Sequence, residues 1–416
     1  MSTFRINNYN GALLKSDKIN HLLRQGGPDG SSVINKDSFT FRSHLFDLDG
    51  NGAADMAEVD GLVYCLSGSL YNKPANTTNI EYISQKYASH GNTFVTELDG
   101  DYSIAIYDSN AGLINIFIDQ FGTKPTFYNI SNTNFDFFNV GILKYKTKDL
   151  NISSPENFVY PLLENNSHYT LNVNTFELTQ VNNNLQPFNL DQTTDNLTAV
   201  TAAMEQAILK RWHPNCSVFL GDGINSVIIA IVLAKYQKSF NAITFSDGTP
   251  INSTLQQTRE LCGTYMNHIM IDELTPAGVI YQCGLREKAR LLNSKVTLKG
   301  SGTEFLDLVI PSKQLGTQGL ATLDMEDKPF TEWPSDLSTV YPWPGFKTTN
   351  NVLYHHKFSM MYGQDMRNTY YDREFIQAWL NTTADLKNSR DKFVQKAYLE
   401  ANNIDIPTSP GSLYDI

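Results

Sequence analysis

Short stretches with the alternation typical of β-strands dominate the chain up to about residue 145. They are rich in Ile, Val, Tyr and Phe and are bounded by Gly, Asp and Asn, which predicts strands at Phe39–Phe46, Leu62–Leu66, Tyr102–Tyr107 and Leu113–Ile118. One stretch with helical periodicity, Ile80–His90, interrupts them. The pattern predicts an α+β domain over residues 1–148, built on an antiparallel sheet or sandwich.

A change of character follows this domain. Residues 149–195 are polar and rich in Asn, which predicts a linker. From Leu197 onwards, helix-length stretches at 197–212, 226–236, 255–265 and 276–290 alternate with apolar runs at 217–220, 242–245, 268–271 and 296–299. Strands that alternate with helices in this way predict a doubly wound parallel sheet over residues 196–416. We expect the stretch from about 350 to 401 to be helical.

Composition narrows the class of protein and its setting. In 416 residues, hydrophobic residues make up 41% and charged residues 18%, which excludes disorder, collagen and coiled coil. The net charge is −11 and there is no basic stripe, so no nucleic-acid partner is expected. The four cysteines form no C-x-x-C pair and suit buried thiols in a reducing, cytoplasmic compartment. There is no signal-peptide pattern, and the longest apolar run, Val227–Ala234, is far below the ~20 residues that span a bilayer.

Several short motifs follow one another in a characteristic order. The first half contains Gly27–Gly30, Ser67–Asn72, Leu98–Ala105 and Asp119–Pro125, and the second contains Gly221–Ser226, Gly300–Glu304 and Gln364–Asp372. Together they resemble the GPD turn, NGEIYN segment, L-x-G-x-F-A-F-A strand, D-x-x-G-x-K-P hairpin, SGGxDS loop, GxGADE and E-x-R-x-P-x-x-D segments of the glutamine-dependent asparagine synthetase family. The resemblance covers most of the chain. It implies an N-terminal-nucleophile (Ntn) glutaminase domain followed by an ATP-pyrophosphatase synthetase domain, with ATP and Mg²⁺ as cofactors if the chain is active and none otherwise.

The same resemblance indicates that the glutamine pocket has changed. The family's nucleophilic cysteine corresponds to Ser2, and retention of Met1 would leave Ser2 without the free amine that activates such a nucleophile. The family's carboxylate-binding arginine corresponds to His44 within Arg42–Leu45, and the groups that hold the ammonium correspond to Ser69 and Asn79. Loss of one partner of a buried charged contact costs about 2–5 kcal/mol, so we expect no glutamine hydrolysis.

The oxyanion hole is half retained in this comparison. Its asparagine corresponds to Ser67, whereas Gly68 can still offer its backbone N–H.

The motifs of the second half are altered less uniformly. Gly221, Gly223 and Ser226 keep the Gly-rich turn of a phosphate cradle, but Asp222 stands where the family has glycine. Asn225 replaces an aspartate that would hold magnesium, and Glu304 supplies one carboxylate for a weak metal site. The resemblance assigns Arg367 to the late motif. No lysine follows Ile406-Pro407, where the family has a catalytic one.

Each of these features has a plain structural interpretation as well. Gly221–Ser226 could be a tight βα turn capped by Ser226, and Arg367 could form a buried ion pair with Asp372. The loop 332–346, rich in Trp, Tyr and Pro, is either a stiffened loop or a surface for a protein partner or a second copy of the chain.

Two functions remain open: a non-catalytic relative with a binding or assembly role, and an ATP-dependent amide ligase that uses ammonia or another amine. Three departures from the family favour the first function: the missing lysine, Asp222 in place of glycine, and Asn225 in place of aspartate.

Overall fold

The chain forms two compact units. The computed structural model describes residues 2–8, 14–48, 50, 52, 54–139, 161–221, 223–246, 252–272, 288–300, 332–339, 362–390 and 392–405. One unit comprises Met1–Pro187 with Lys347–Asp365, and the other comprises Phe188–Phe346 with Met366–Ile416.

Two antiparallel sheets make up the first unit. The five-stranded sheet has the order β2-β3-β1-β9-β8, from β1 (Thr3–Asn7), β2 (Gly30–Lys36), β3 (Phe39–Leu45), β8 (Phe127–Ile130) and β9 (Phe135–Phe138). The six-stranded sheet has the order β11-β10-β7-β6-β5-β4, from β4 (Met56–Val59), β5 (Leu62–Leu70), β6 (Gly100–Asp108), β7 (Leu113–Ile118), β10 (His168–Asn172) and β11 (Glu177–Asn182).

The core of this unit lies between the two sheets. One buried cluster draws on both, including Phe4, Ile6, Phe41 and Phe137 from one sheet and Val63, Cys65, Ile114 and Ile116 from the other. Burial of a side chain of this size contributes about 1.5–3 kcal/mol, so the apolar alternation of the strands stabilises the sandwich directly.

A helix covers the outer face of each sheet. Helix α1 (Leu14–Gly26) packs Ile19 and Leu23 on the five-stranded sheet, and α2 (Asn79–His90) packs Ile80 and Ile83 on the six-stranded sheet. The unit therefore has four layers, helix–sheet–sheet–helix. This arrangement confirms the expected α+β domain built on an antiparallel sandwich.

Local sequence fixes the ends of α2. Thr78 and Glu81 form a capping box, in which each side chain accepts from the backbone N–H of the other residue. Gly91 follows at φ +55°, a conformation that glycine adopts without strain.

Two expectations for this unit are corrected. Helix α1 was not predicted, because its sequence is largely polar and shows few apolar positions. Residues 149–195 are not simply a linker, since β10 and β11 lie within them and extend the six-stranded sheet. Strand β11 is at the sheet edge and largely exposed, which accounts for its polar, loop-like composition.

The second unit contains a five-stranded sheet of order β14-β13-β12-β15-β16. Its strands are β12 (Cys216–Phe219), β13 (Phe240–Ser246), β14 (Met266–Asp272), β15 (Val296–Lys299) and β16 (Asp365–Asn368). The pairs β12–β13, β13–β14 and β12–β15 are parallel, as the alternation of strands and helices predicted. Strand β16 interrupts the stretch that was expected to be helical.

The helices of this unit are α3 (Leu197–Leu209), α4 (Ile224–Lys235), α5 (Ser253–Cys262), α6 (Arg373–Leu380), α7 (Ala384–Ser389) and α8 (Phe393–Ala401). The predicted helix 276–290 lies mostly outside the described residues.

Strands β13 and β14 lie on one side of β12, and β15 lies on the other. The strand order therefore reverses between β12 and β15, and in open α/β sheets ligands bind beside such a switch point, at the carboxyl ends of the strands.

Among the described residues, no helix is long and apolar enough to cross a membrane. Cys65, Cys216 and Cys262 are free and buried, as expected of three of the four cysteines.

Candidate functional site

The structure brings Ser2 and Ser67 into direct contact in the first unit. Ser2 precedes β1 and is only 2% exposed. Its Oγ accepts a hydrogen bond from the backbone N–H of Phe46 at 3.0 Å. Its carbonyl oxygen accepts one from the hydroxyl of Ser67 at 2.8 Å. The residues that correspond to the family's nucleophile and oxyanion positions are therefore in contact.

This contact limits what Ser67 can do. A serine hydroxyl has one proton to donate, and here that proton is directed at the carbonyl of Ser2. The family's asparagine has two amide protons at this position, and Ser67 has none left for a developing oxyanion.

Gly68 is held in a conformation that only glycine accepts. Its φ is +128°, and a Cβ at this position would lie 1.9 Å from the carbonyl oxygen of Asp101 on β6. The close approach of β5 and β6 therefore requires glycine here.

His44 occupies a buried position on β3. It is 1% exposed, and neither ring nitrogen has a hydrogen-bond partner among the described residues. Burial, together with the smaller effects of the charges of Arg42 and Arg24, lowers the pKa of His44 to about 4. At neutral pH the ring is uncharged, so it offers no cation to a substrate carboxylate.

The turn at Gly27 packs against the same residue. A Cβ on Gly27 would lie 2.1 Å from the carbonyl oxygen of His44, which explains glycine in the GPD turn.

Arg42 is a candidate that the sequence interpretation passed over. It lies two residues before His44 on β3, hence on the same face of the strand, and it is half-buried. Its charge contributes to the lowered pKa of His44. Since Arg42 opens the segment from which His44 was chosen, the signal was present in the sequence.

Two carboxylates lie beside Asn79 and Ser69, the residues that correspond to the family's ammonium-binding positions. Asn79 donates from its amide nitrogen to Asp55 Oδ1 at 2.8 Å. Ser69 pairs with Asp101 across β5 and β6, and Asp101 Oδ2 accepts from the hydroxyl of Tyr71 at 2.8 Å. Asp101 lies in a motif that the sequence shows, whereas Asp55 lies in an irregular segment with no sequence signal.

The hairpin Asp119–Pro125 is structural, as expected. Asp119 accepts from the backbone N–H groups of Tyr102, Phe121 and Thr123 and from the hydroxyl of Thr123. Burial raises the pKa of Asp119 to about 6, and the charge of Asp101 acts in the same direction. Gly122 adopts φ +61°.

In the second unit, the Gly-rich loop leads directly into α4. Gly223, not Ser226, is the N-cap, because the helix begins at Ile224. The hydroxyl of Ser226 donates to the carbonyl of Gly223 at 3.1 Å, and the N–H of Gly221 points at Ser226 Oγ at 3.3 Å. Ser226 thus closes the loop from inside the helix, and the predicted cap is corrected.

The second motif meets this loop. A Cβ on Gly300, at the end of β15, would lie 2.7 Å from Cβ of Asn225 and 3.4 Å from the backbone nitrogen of Ser226. The hydroxyl of Tyr370 donates to the carbonyl of Asn225 at 3.0 Å. Both motifs therefore converge beside the switch point between β12 and β15.

The start of α4 presents backbone N–H groups beside this convergence. The first backbone N–H groups of α4 have no partners within the helix and are suited to an anion. Asn225 is a buried amide where a carboxylate would suit Mg²⁺. Within the described ranges, no group of three or more His, Cys, Asp or Glu side chains could hold a metal. Asp222 and Glu304 lie outside those ranges.

Arg367 is buried but does not pair with Asp372. It donates to the carbonyl of Arg211 at 2.9 Å. Asp372 binds Arg211 at 2.7 Å and Lys210 at 2.5 Å, and it caps α6 by accepting from the N–H of Phe375. The predicted ion pair is therefore wrong in its basic partner.

Trp333 corrects part of the interpretation of loop 332–346 as a partner surface. It is 4% exposed, and its ring packs edge-on against Trp379 at 4.7 Å between centroids. Asn388 bonds both its backbone N–H and its carbonyl. Trp333 is thus an internal anchor, and residues 340–346 lie outside the described ranges.

Parts of this chain are similar to known proteins. Residues 6–153 match the family model of a glutamine amidotransferase domain. The asparagine synthetase [glutamine-hydrolyzing] 2 of Bacillus subtilis (strain 168) is 32% identical over 117 residues, which cover 24% of this chain and 16% of the relative. The match thus spans well under two thirds of the relative's length.

Two solved structures are also similar. One, titled structure of the allosteric regulatory enzyme of purine biosynthesis, has 12% identity and a TM-score of 0.34, over 71% of this chain and 89% of the other. Glutamine phosphoribosylpyrophosphate amidotransferase from B. subtilis, complexed with ADP and GMP, has 11% identity and a TM-score of 0.31, over 71% and 90%.

Residues 6–153 thus match a glutamine amidotransferase domain, and the chain resembles the glutamine-dependent asparagine synthetase family as a divergent relative.

Proposed function

We propose that this chain is a non-catalytic relative of the glutamine-dependent asparagine synthetases, with a binding or assembly role, and that its amidotransferase half serves as a scaffold. The observation that carries the proposal is the hydrogen bond from Ser67 to the carbonyl of Ser2 at 2.8 Å. It directs the one side-chain donor at the oxyanion position away from a substrate.

The magnitudes favour loss of glutaminase activity. Removal of one oxyanion donor lowers kcat by about 10²–10³-fold. A neutral His44 removes a cation, and Ser2 is a weaker nucleophile than the family's cysteine.

Glutamate release tests this half of the proposal. The pure protein with glutamine should form no glutamate above buffer, and neither should the single variant Ser2→Cys, since Ser67 and His44 are unchanged. Ser2→Ala is the matched control and defines the background. Glutamate formed by the unmodified chain above the Ser2→Ala level would contradict the proposal.

For the synthetase half, the proposal rests on the loop 221–226. A carboxylate about 5 Å from a phosphate charge repels it by about 3 kcal/mol at an effective dielectric of about 20, which predicts weak ATP binding because of Asp222. Asn225 weakens the Mg²⁺ site further. Asp222→Gly with Asn225→Asp should recover measurable binding of Mg-ATP but form no amide, since Thr408 and not lysine comes directly after Pro407.

A second candidate is an ATP-dependent amide ligase that takes ammonia or another amine. The convergence of Gly300 with Asn225 beside the switch point favours it, because the frame of a phosphate cradle is retained. Pyrophosphate release by the unmodified chain separates the two candidates. From the composition we also propose that the chain is cytoplasmic and that it has no nucleic-acid partner.

A further inference from the structure

Lys387 is a buried lysine in the second unit that neither proposed activity uses. It lies on α7 and is 1% exposed. Its Nζ donates to three carbonyl-type oxygens: Gln192 Oε1 at 2.7 Å, the carbonyl of Leu380 at 2.8 Å and the carbonyl of Thr382. It also lies 4.9 Å from the ring centroid of Trp379.

These contacts match the charged form of the side chain. An ammonium has three protons for three acceptors, whereas a neutral amine has two. Leu380 ends α6, so its carbonyl lies at the negative end of the helix dipole, which favours a cation. The face of Trp379 favours a cation as well.

Within the part of the chain that the structure describes, no carboxylate forms an ion pair with Lys387. Burial lowers the pKa of Lys387 to about 7, which brings its titration into an accessible range. The surrounding elements carry several charged residues, and within the described ranges none of them forms an ion pair with Lys387. These residues are Asp191, Asp195, Glu332, Asp336, Arg373, Glu374, Asp385, Arg390 and Lys392.

Gln192 extends the network to a second segment. Its Oε1 accepts from Lys387, while its Nε2 donates to the carbonyls of Pro334 and Ser335 at 2.8 Å each. Those residues directly follow the buried Trp333. The orientation of one side-chain amide therefore links Lys387 to the segment 332–339.

We propose that Lys387 is a protonation-dependent latch: its ammonium holds Gln192, and through it the segment 332–339, against the end of α6, and deprotonation releases that segment. The neutral amine cannot serve all three acceptors and loses its attraction to the helix end and to Trp379. Release of Gln192 frees the carbonyls of Pro334 and Ser335 to solvent. The latch thus controls how firmly the first part of loop 332–346 is held.

Hydrogen exchange on the full chain tests the latch. Exchange rates are corrected for the intrinsic effect of pH, and protection is compared at about pH 6 and about pH 9, on either side of the titration. In the unmodified protein, protection of peptides covering 188–196 and 332–339 should fall at least about tenfold at the higher pH. Peptides from β5 and β6 should show no such fall.

Two variants make the test decisive. Lys387→Arg keeps its charge at both pH values, so protection of the two segments should not fall with pH. Lys387→Met should show low protection at both, and Lys396→Met is the matched control that should behave as the unmodified chain.

Equal protection of the unmodified protein at both pH values would overturn the proposal. The proposal would also be overturned if protection fell with pH in Lys387→Arg as much as in the unmodified protein. This comparison remains informative even if Lys387→Met does not fold.

Discussion

The backbone N–H of Gly122 donates to the carbonyl of Asp119 at 3.1 Å and closes a turn in which the Asp119 carboxylate accepts from the N–H groups of Tyr102, Phe121 and Thr123 and from the Thr123 hydroxyl. Gly122 is buried there at φ +61°. The turn therefore depends on the absence of a side chain at position 122.

Substitution of Gly122 by valine should destabilise the first unit. A left-handed conformation costs a residue with a Cβ roughly 1–2 kcal/mol, and added volume in a packed site costs about 1–3 kcal/mol more. Ser69→Ala, at a half-buried position of the pocket, should change the free energy of unfolding by less than about 0.5 kcal/mol. Thermal melts of the two variants measure this, and greater damage from Ser69→Ala would argue for a working site instead of a scaffold.

The neutral His44 should make stability depend on pH. Its folded pKa, about 4, is below the unfolded value of 6.5, so the unfolded chain binds more protons between these values. Stability should therefore fall as pH falls from 6.5 towards 4, with a contribution on the order of 3 kcal/mol or less. Urea unfolding at several pH values should show a shallower loss in His44→Gln.

The variant comparison isolates this residue, because His168, whose pKa burial also lowers to about 4, is present in both proteins. His90→Gln on the exposed end of α2 is the control and should follow the unmodified profile. If the free energy of unfolding fell equally at acid pH in His44→Gln and in the unmodified protein, His44 would not be the buried neutral group described.

Asp372 should be among the most sensitive positions of the second unit. It binds Arg211 and Lys210 and caps α6, so Asp372→Asn leaves the buried guanidinium of Arg211 without its carboxylate partner. The expected loss of unfolding free energy is about 3–5 kcal/mol. Glu374→Gln is the matched control, because that side chain is 73% exposed and 4.0 Å from Lys210, and it should cost less than about 1 kcal/mol.

Chemical denaturation of both variants gives the comparison. Equal effects would mean that the ion pair of Asp372 is not buried as described.

The contact between Gly300 and Asn225 predicts a coupled pair. Gly300→Ala places a Cβ about 2.7 Å from Cβ of Asn225 and should cost about 1–3 kcal/mol. Asn225→Gly removes the opposing Cβ, so the double variant should be more stable than the sum of the single effects. A double-mutant cycle in urea measures the coupling, and simple additivity would contradict the convergence of the two motifs.

The accuracy of the sequence interpretation followed the physical strength of each signal. Both ends of strand β7 were predicted correctly, because turn residues bound its apolar run and so mark where the strand begins and ends. Helix α1 and strand β11 were missed, since their stability comes from packing and edge pairing that a polar local sequence does not reveal.

The candidate site was predicted in outline only. Motif order singled out Ser2, Ser67 and Gly68, and in the structure the hydroxyl of Ser67 donates to the carbonyl of Ser2. The partners were not predictable: Asp55 reaches Asn79 from an irregular segment, and Arg211 instead of Arg367 binds Asp372. These pairings depend on contacts between residues far apart in sequence.

Calorimetry with Mg-ATP, with pyrophosphate release followed in parallel on the unmodified chain, tests the non-catalytic account most directly. The repulsion expected from Asp222, about 3 kcal/mol, corresponds to roughly two decades of affinity. The account predicts binding that is weak or undetectable at millimolar nucleotide and no pyrophosphate, with or without ammonia and aspartate. Tight binding of Mg-ATP with release of pyrophosphate would contradict it and establish the ligase in its place.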